Sequence, residues 1–130
     1  MLSISPIYAS ILIALIIFLA YRVTSFRQKE TIDLGDEGCS KQMSCAIRAH
    51  ANAVENIPVS LILLIVMELN NLTPWMLHSF GAILVFARFY HAWGLSRDAG
   101  ASRGRYFGTL FTWLCILTMV VVNLLLVLSR

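Results

Sequence analysis

Arg48, Asn52 and Glu55 stand at the mouth of an oily helix, in the stretch RAHANAVENIPVSLILLIVM that covers residues 48–67. At roughly 100° per residue, Asn52 lies about 40° from Arg48, and Glu55 about 20° to the other side. The three share one face, while His50 points nearly opposite. A second set follows in ARFYHAWGLSR, where Arg88 and His91 are i, i+3 neighbours and Tyr90 points away from them. A third is the pair Arg103 and Arg105 in SRGRYFGTL. A guanidinium is a planar, donor-only cation that matches carboxylate geometry. A carboxamide both donates and accepts, and a carboxylate holds an ammonium. Several arginines converge on one deep carboxylate, Glu55, so the surplus positive charge calls for an anion. A ligand with carboxylates for the arginines and an ammonium for Glu55 balances the set through charge-assisted hydrogen bonds.

These residues need elements to position them, and composition says which. The chain has 130 residues, 58% hydrophobic and 13% charged, with a mean hydropathy of +0.77. Soluble domains are about 45–50% apolar and about 25% charged, so this is a single membrane domain, residues 1–130. Its net charge of +3 comes without a Lys/Arg-rich run, which excludes a nucleic-acid partner. Cys39, Cys45 and Cys115 are an odd count with no CxxC pair, so they read as free thiols, and no metal site is expected.

About 20 apolar residues cross the hydrocarbon as a helix, and four such spans are expected at about 6–26, 42–69, 74–96 and 106–128. Barrel strands are about half that length and alternate in polarity, so the fold class is an all-α integral membrane four-helix bundle. The first span has no basic residue ahead of it and no small-residue cleavage site behind it, which reads as a retained span. NNLTP is a tight turn, with Pro74 suited to the first helical position. Arg22, Arg27, Lys29, Lys41 and Arg48 flank one loop, and Arg97, Arg103 and Arg105 another; the middle turn has none. By the positive-inside rule both basic loops are cytoplasmic, and both termini are extracytoplasmic.

The second span is the anomaly. Its fully apolar part, residues 57–67, is worth only about 16 Å of helix. The helix crosses only if it continues backward through RAHANAVEN, which then has to face protein or a water-filled cavity. Pro58 is expected to bend it just above Glu55. Three bland readings stand beside this one. Arg48 or Arg88 could pair with Glu55 as polar glue between helices. Glu55 could serve a small proton-coupled exporter, although an arginine one turn away holds a carboxylate ionised. Trp75 and Trp93 read as interfacial anchors, Trp113 as packing, Glu68 and His78 as outer-surface residues, and Asn123 as a cross-helix hydrogen-bonding residue.

Taken together, RAHANAVENIPVSLILLIVMEL, ARFYHAWGLSR and SRGRYFGTLFTWL resemble the MAPEG family, the membrane-associated proteins in eicosanoid and glutathione metabolism, and in particular its bacterial inner-membrane branch. The resemblance covers nearly the whole chain. It implies a homotrimer in the inner membrane, with glutathione bound between neighbouring subunits and open to the cytoplasm. It also implies a glutathione transferase or peroxidase reaction with a small lipophilic electrophile supplied by the bilayer. By position, Arg48, Asn52 and Glu55 match residues that grip the glutathione backbone, and His91 matches a third-span site residue. The resemblance also implies an arginine at the start of the fourth span that stabilises the thiolate, and Arg105, which heads RYFGT, is the choice for it, with Arg103 as reserve. Ala51 and Leu95 depart from the family pattern: one mammalian branch has a further arginine at the first position, and family enzymes commonly have a tyrosine touching glutathione at the second. A non-catalytic accessory protein of the same fold is therefore the alternative reading.

Overall fold

In the computed structural model, which describes residues 2–97 and 103–129, the chain forms four helices. They are α1 (Ser5–Glu30), α2 (Lys41–Leu69), α3 (Pro74–Arg97) and α4 (Arg103–Leu128). The connection at 98–102 and the C-terminal Arg130 lie outside the described residues. α2 and α3 each touch all three other helices, whereas α1 and α4 do not touch each other. The centre of the bundle is thus the α2–α3 pair, with α1 and α4 against it.

Three of the expected spans, α1, α2 and α4, are long and apolar enough to cross a membrane by length and composition alone. α3 falls short on composition because it carries His78, Arg88 and His91. Its 24 residues still reach about 36 Å at helical rise. Arg88 and His91 are each 2% exposed, so these two turn inward to protein, while His78 is exposed near the start of the helix.

α1 begins with Pro6 in its first turn and buries one stripe, Leu12, Leu15 and Leu19, leaving Ile13, Ile17 and Phe18 outward. It runs four residues beyond the expected end, through Gln28, Lys29 and Glu30, because these are good helix formers. It stops at Thr31, whose φ of 55° is left-handed. α2 runs unbroken through Pro58 and buries Met43, Ala46, Ala49, Ala53, Ile57, Leu61, Leu64 and Met67, a 3.6-residue stripe along its whole length. Its small residues lie at the end that carries Arg48 and its large ones at the other. Ile62, Phe86, Leu117 and Leu124 are all about 60% exposed. Apolar surface of this extent on every helix is what lipid and neighbouring subunits cover.

Two carboxylates tie α1 to α2. At the loop end, Glu30 accepts from the Ser40 amide at 2.8 Å and from its hydroxyl. Ser40 in turn caps α2 by accepting from the Met43 amide at 3.1 Å. At the opposite end, Glu68 accepts from the backbone N–H groups of Ser3 (2.6 Å), Ile4 (2.8 Å) and Ser5 (2.7 Å), and from the Ser5 hydroxyl. Glu68 is therefore not a solvated surface residue as its position beside Asn70 and Asn71 suggested. It is the N-terminal cap of α1, supplied from 63–65 residues away. Negative charge is favoured at the positive end of a helix dipole. Tyr8 ties α1 to α3 instead, its hydroxyl 2.9 Å from His78 Nδ1, with its ring laid over Gly81.

Candidate functional site

α3 and α4 approach most closely at the loop end. A Cβ on Gly94 would lie 2.7 Å from the Arg105 amide nitrogen, and one on Gly108 would lie 2.6 Å from His91 Cβ. Glycine at these positions lets the two backbones touch, as small residues do at membrane helix interfaces. The contact holds His91 of α3 beside the first turns of α4. Arg88 and Arg105 both lie within electrostatic reach of His91.

A cleft of about 1040 Å³ opens at this end between α2, α3 and α4. α2 contributes Arg48 and Asn52, α3 His91 and Leu95, and α4 Arg103, Arg105, Tyr106, Phe107, Thr109, Leu110 and Trp113. Arg48, Arg103 and Arg105 are exposed, so all three are accessible to a ligand from the open side. No carboxylate lines the cleft among the described residues. α4 begins at Arg103 rather than Tyr106, with no acidic residue in its first turn. Two cations therefore sit at the positive end of the helix dipole, and an anion there is favoured twice over.

The residues singled out by spacing divide three ways. Arg48, Asn52, His91, Arg103 and Arg105 are brought together around the cleft. Arg88 stands behind it and donates from Nη2 to Asn52 Oδ1 at 2.7 Å, so it does not pair with Glu55. Glu55 is exposed on α2 and outside the lining, with no ion-pair partner among the described residues. His50 is absent from the lining, as the 100° geometry requires.

Sequence reasoning missed the apolar wall. Trp113, read as packing, is 62% exposed and lines the cleft. Below the arginines, Phe107 stacks on Phe111 at 6.1 Å and meets Tyr106 edge-on at 5.3 Å. A helix that is apolar all round gives no periodic clue to which side faces a site. The signal that was present is the Gly104/Gly108 pair, whose i, i+4 spacing fixes the face of α4 that docks on α3.

The MAPEG family model matches residues 5–125, almost the whole bundle and all of the cleft. The chain belongs to the MAPEG family. It is also similar to the inner membrane protein YecN of Escherichia coli (strain K12), with 36% identity over 121 residues, 93% of this chain and 90% of that one. YecN of E. coli O6:H1 (strain CFT073) matches to the same extent. This MAPEG chain is thus a helical membrane protein whose likeness to an inner membrane protein spans both chains nearly end to end.

Proposed function

We propose that the cleft binds glutathione and that the protein is a microsomal-type glutathione transferase or peroxidase, acting on small lipophilic electrophiles. The observation that supports this reading is the lining itself: among the described residues it holds three arginines, no carboxylate, and an aromatic wall directly below. The arginines and Asn52 suit the carboxylates and peptide groups of an anionic tripeptide. The aromatic wall suits an apolar second reactant that partitions into lipid. A free thiol has a pKa of about 8.5, and the thiolate is the nucleophile. A guanidinium at the sulfur favours the charged form and so raises the thiolate fraction at neutral pH.

In this reading the basic loops face the cytoplasm, both termini are extracytoplasmic, and glutathione enters from the cytoplasmic side. Arg48 and Glu55 are exposed on the single chain, which suits a site completed by a neighbouring subunit of a homotrimer. Glu55 then holds the ligand's ammonium across that boundary. Native mass spectrometry in mild detergent is expected to give trimers; only monomers or dimers would remove this part. A second reading, a binding protein without turnover, is favoured by Leu95, which puts an aliphatic side chain in the lining where family enzymes have a tyrosine. Calorimetry of the solubilised protein with glutathione and with its S-hexyl derivative tests both. Binding of both with turnover of a haloarene supports the transferase, binding alone supports the second reading, and binding of neither removes both.

A further inference from the structure

We propose that Arg88 is a positioning residue that fixes the Asn52 carboxamide, so that Asn52 presents its N–H groups to the cleft and selects a carboxylate or carbonyl oxygen on the ligand. This rests on the thiol-binding reading above and assigns the polarity of one contact within it.

The two atoms of a carboxamide that face its partners look alike by shape, and only the hydrogen-bond network tells them apart. Here the network decides. Arg88 Nη2 lies 2.7 Å from Asn52 Oδ1, and a guanidinium has donors and no acceptor. Turning the amide over would set donor against donor at that distance. Arg88 cannot step aside to allow it. Its side chain is 2% exposed, between Ala87 at 0% and His91 at 2%. The bond is also charge-assisted, which makes it stronger than a neutral one. Arg88 has no carboxylate partner among the described residues, and its Nε is buried without a hydrogen bond. Asn52 Oδ1 is thus its one acceptor among the described residues, and losing it would strand a buried cation.

The other half of the amide is left for the cleft. Asn52 lines the cleft, whereas Arg88 does not. Asn52 Nδ2 is not a buried atom lacking a partner, and the residue that carries it is part of the cleft wall. Asn56 Nδ2 donates at 2.9 Å to the backbone carbonyl of Asn52 and not to its side chain, so Nδ2 of Asn52 keeps its two N–H groups for the cleft. Both α2 residues in the lining, Arg48 and Asn52, therefore offer donors. This wall takes oxygen acceptors and rejects an ammonium, which must lie elsewhere, on the Glu55 side.

The test has an arm with ligand and an arm without. In ligand-free protein labelled with nitrogen-15 at asparagine, the Asn52 side-chain amide signal is assigned by its loss in Asn52→Ala. It is expected to move in Arg88→Met and to hold in Arg88→Lys, whose ammonium still donates to Oδ1. In the binding arm, Arg88→Met is expected to weaken glutathione about tenfold. In the Asn52→Ala background the same change should alter affinity no more than about twofold, because its only route to the ligand is gone. An amide signal unmoved in Arg88→Met overturns the anchoring, and so does an undiminished loss in the Asn52→Ala background. If Arg88→Met does not assemble, the Arg88→Lys signal decides: an Asn52 side-chain amide that moves in Arg88→Lys to the position of a free asparagine amide overturns it. Native protein that binds no glutathione removes the thiol reading instead, while the amide signal still judges Arg88 and Asn52.

Discussion

Gly94 and Gly104 meet backbone to backbone: a Cβ on Gly94 would lie 2.8 Å from the Gly104 Cα, and one on Gly104 would lie 3.1 Å from the Tyr90 carbonyl oxygen. Nothing at this contact can rotate away, because the neighbouring atoms are main chain. Gly94→Ala is therefore expected to push α3 from α4 and to destabilise the protein by about 1–3 kcal/mol, the usual cost of overpacking. Because the same contact sets His91 beside the first turns of α4, glutathione affinity should fall in protein that is still folded. Thermal melting in detergent, paired with calorimetry, reads both. Ala82→Val, at an exposed position on α3, should change melting by less than about 0.5 kcal/mol. Equal melting for Gly94→Ala and the unmutated protein would mean that the α3–α4 contact is looser than it looks.

Glu68 supports a second, local prediction at the far end of the bundle. Its carboxylate accepts from three consecutive backbone amides at the start of α1. Glu68→Gln replaces one accepting oxygen with a donor, which opposes those N–H groups. The expected cost is about 1–2 kcal/mol, the range for loss of an N-cap. Hydrogen exchange should accelerate at Ile4 and Ser5, with little change at Arg48 or Arg105. Uniform acceleration along the chain would show that Glu68 holds the whole bundle and not one helix end.

How much of this was legible in the sequence depends on the range of the interaction. Helix positions came from apolar runs, and Pro74 starts α3 where NNLTP placed it. The Arg48–Asn52 face came from 100° arithmetic alone, and both residues line the cleft. Tertiary choices were not legible. Arg88 had a carboxylate and a carboxamide as candidate partners on α2, and packing gave it Asn52. Glu68 was read from its neighbours Asn70 and Asn71, yet its partners are at Ser3, Ile4 and Ser5. Trp113 lies on a helix whose apolar residues surround it completely, so lipid, core and cleft look alike in sequence. Asn123 is the milder case: a lone amide in a span must find a partner, and it donates to the Leu63 carbonyl of α2 at 3.3 Å.

On the α2 wall, Arg48 and His50 give a paired comparison. They differ by about 160° around the helix, and only Arg48 lines the cleft. Arg48→Ala is expected to weaken glutathione by about 1.5–3 kcal/mol, the worth of a charged hydrogen bond, or tenfold and more in affinity. His50→Ala should change it little. Titration calorimetry on folded trimers distinguishes the two. Equal losses would put the ligand on a different face of α2.

Arg105 is expected to act on the sulfur and not mainly on the body of the ligand. It lies in the first turn of α4, across the cleft from the Arg48 and Asn52 wall that holds the oxygen acceptors. A guanidinium at that place speeds the reaction by favouring thiolate, so its removal falls on the chemical step and not on binding. Arg105→Ala should leave glutathione affinity within about a few fold. It should abolish the ultraviolet thiolate absorbance at neutral pH, because a thiol with a pKa of about 8.5 is then mostly protonated. Conjugation of a simple haloarene should fall with it, and should recover as pH rises past that value. Arg103→Ala, two residues earlier in the same cleft, is the control and should be milder on both readouts. Loss of the thiolate signal in Arg103→Ala with its retention in Arg105→Ala would exchange the two roles.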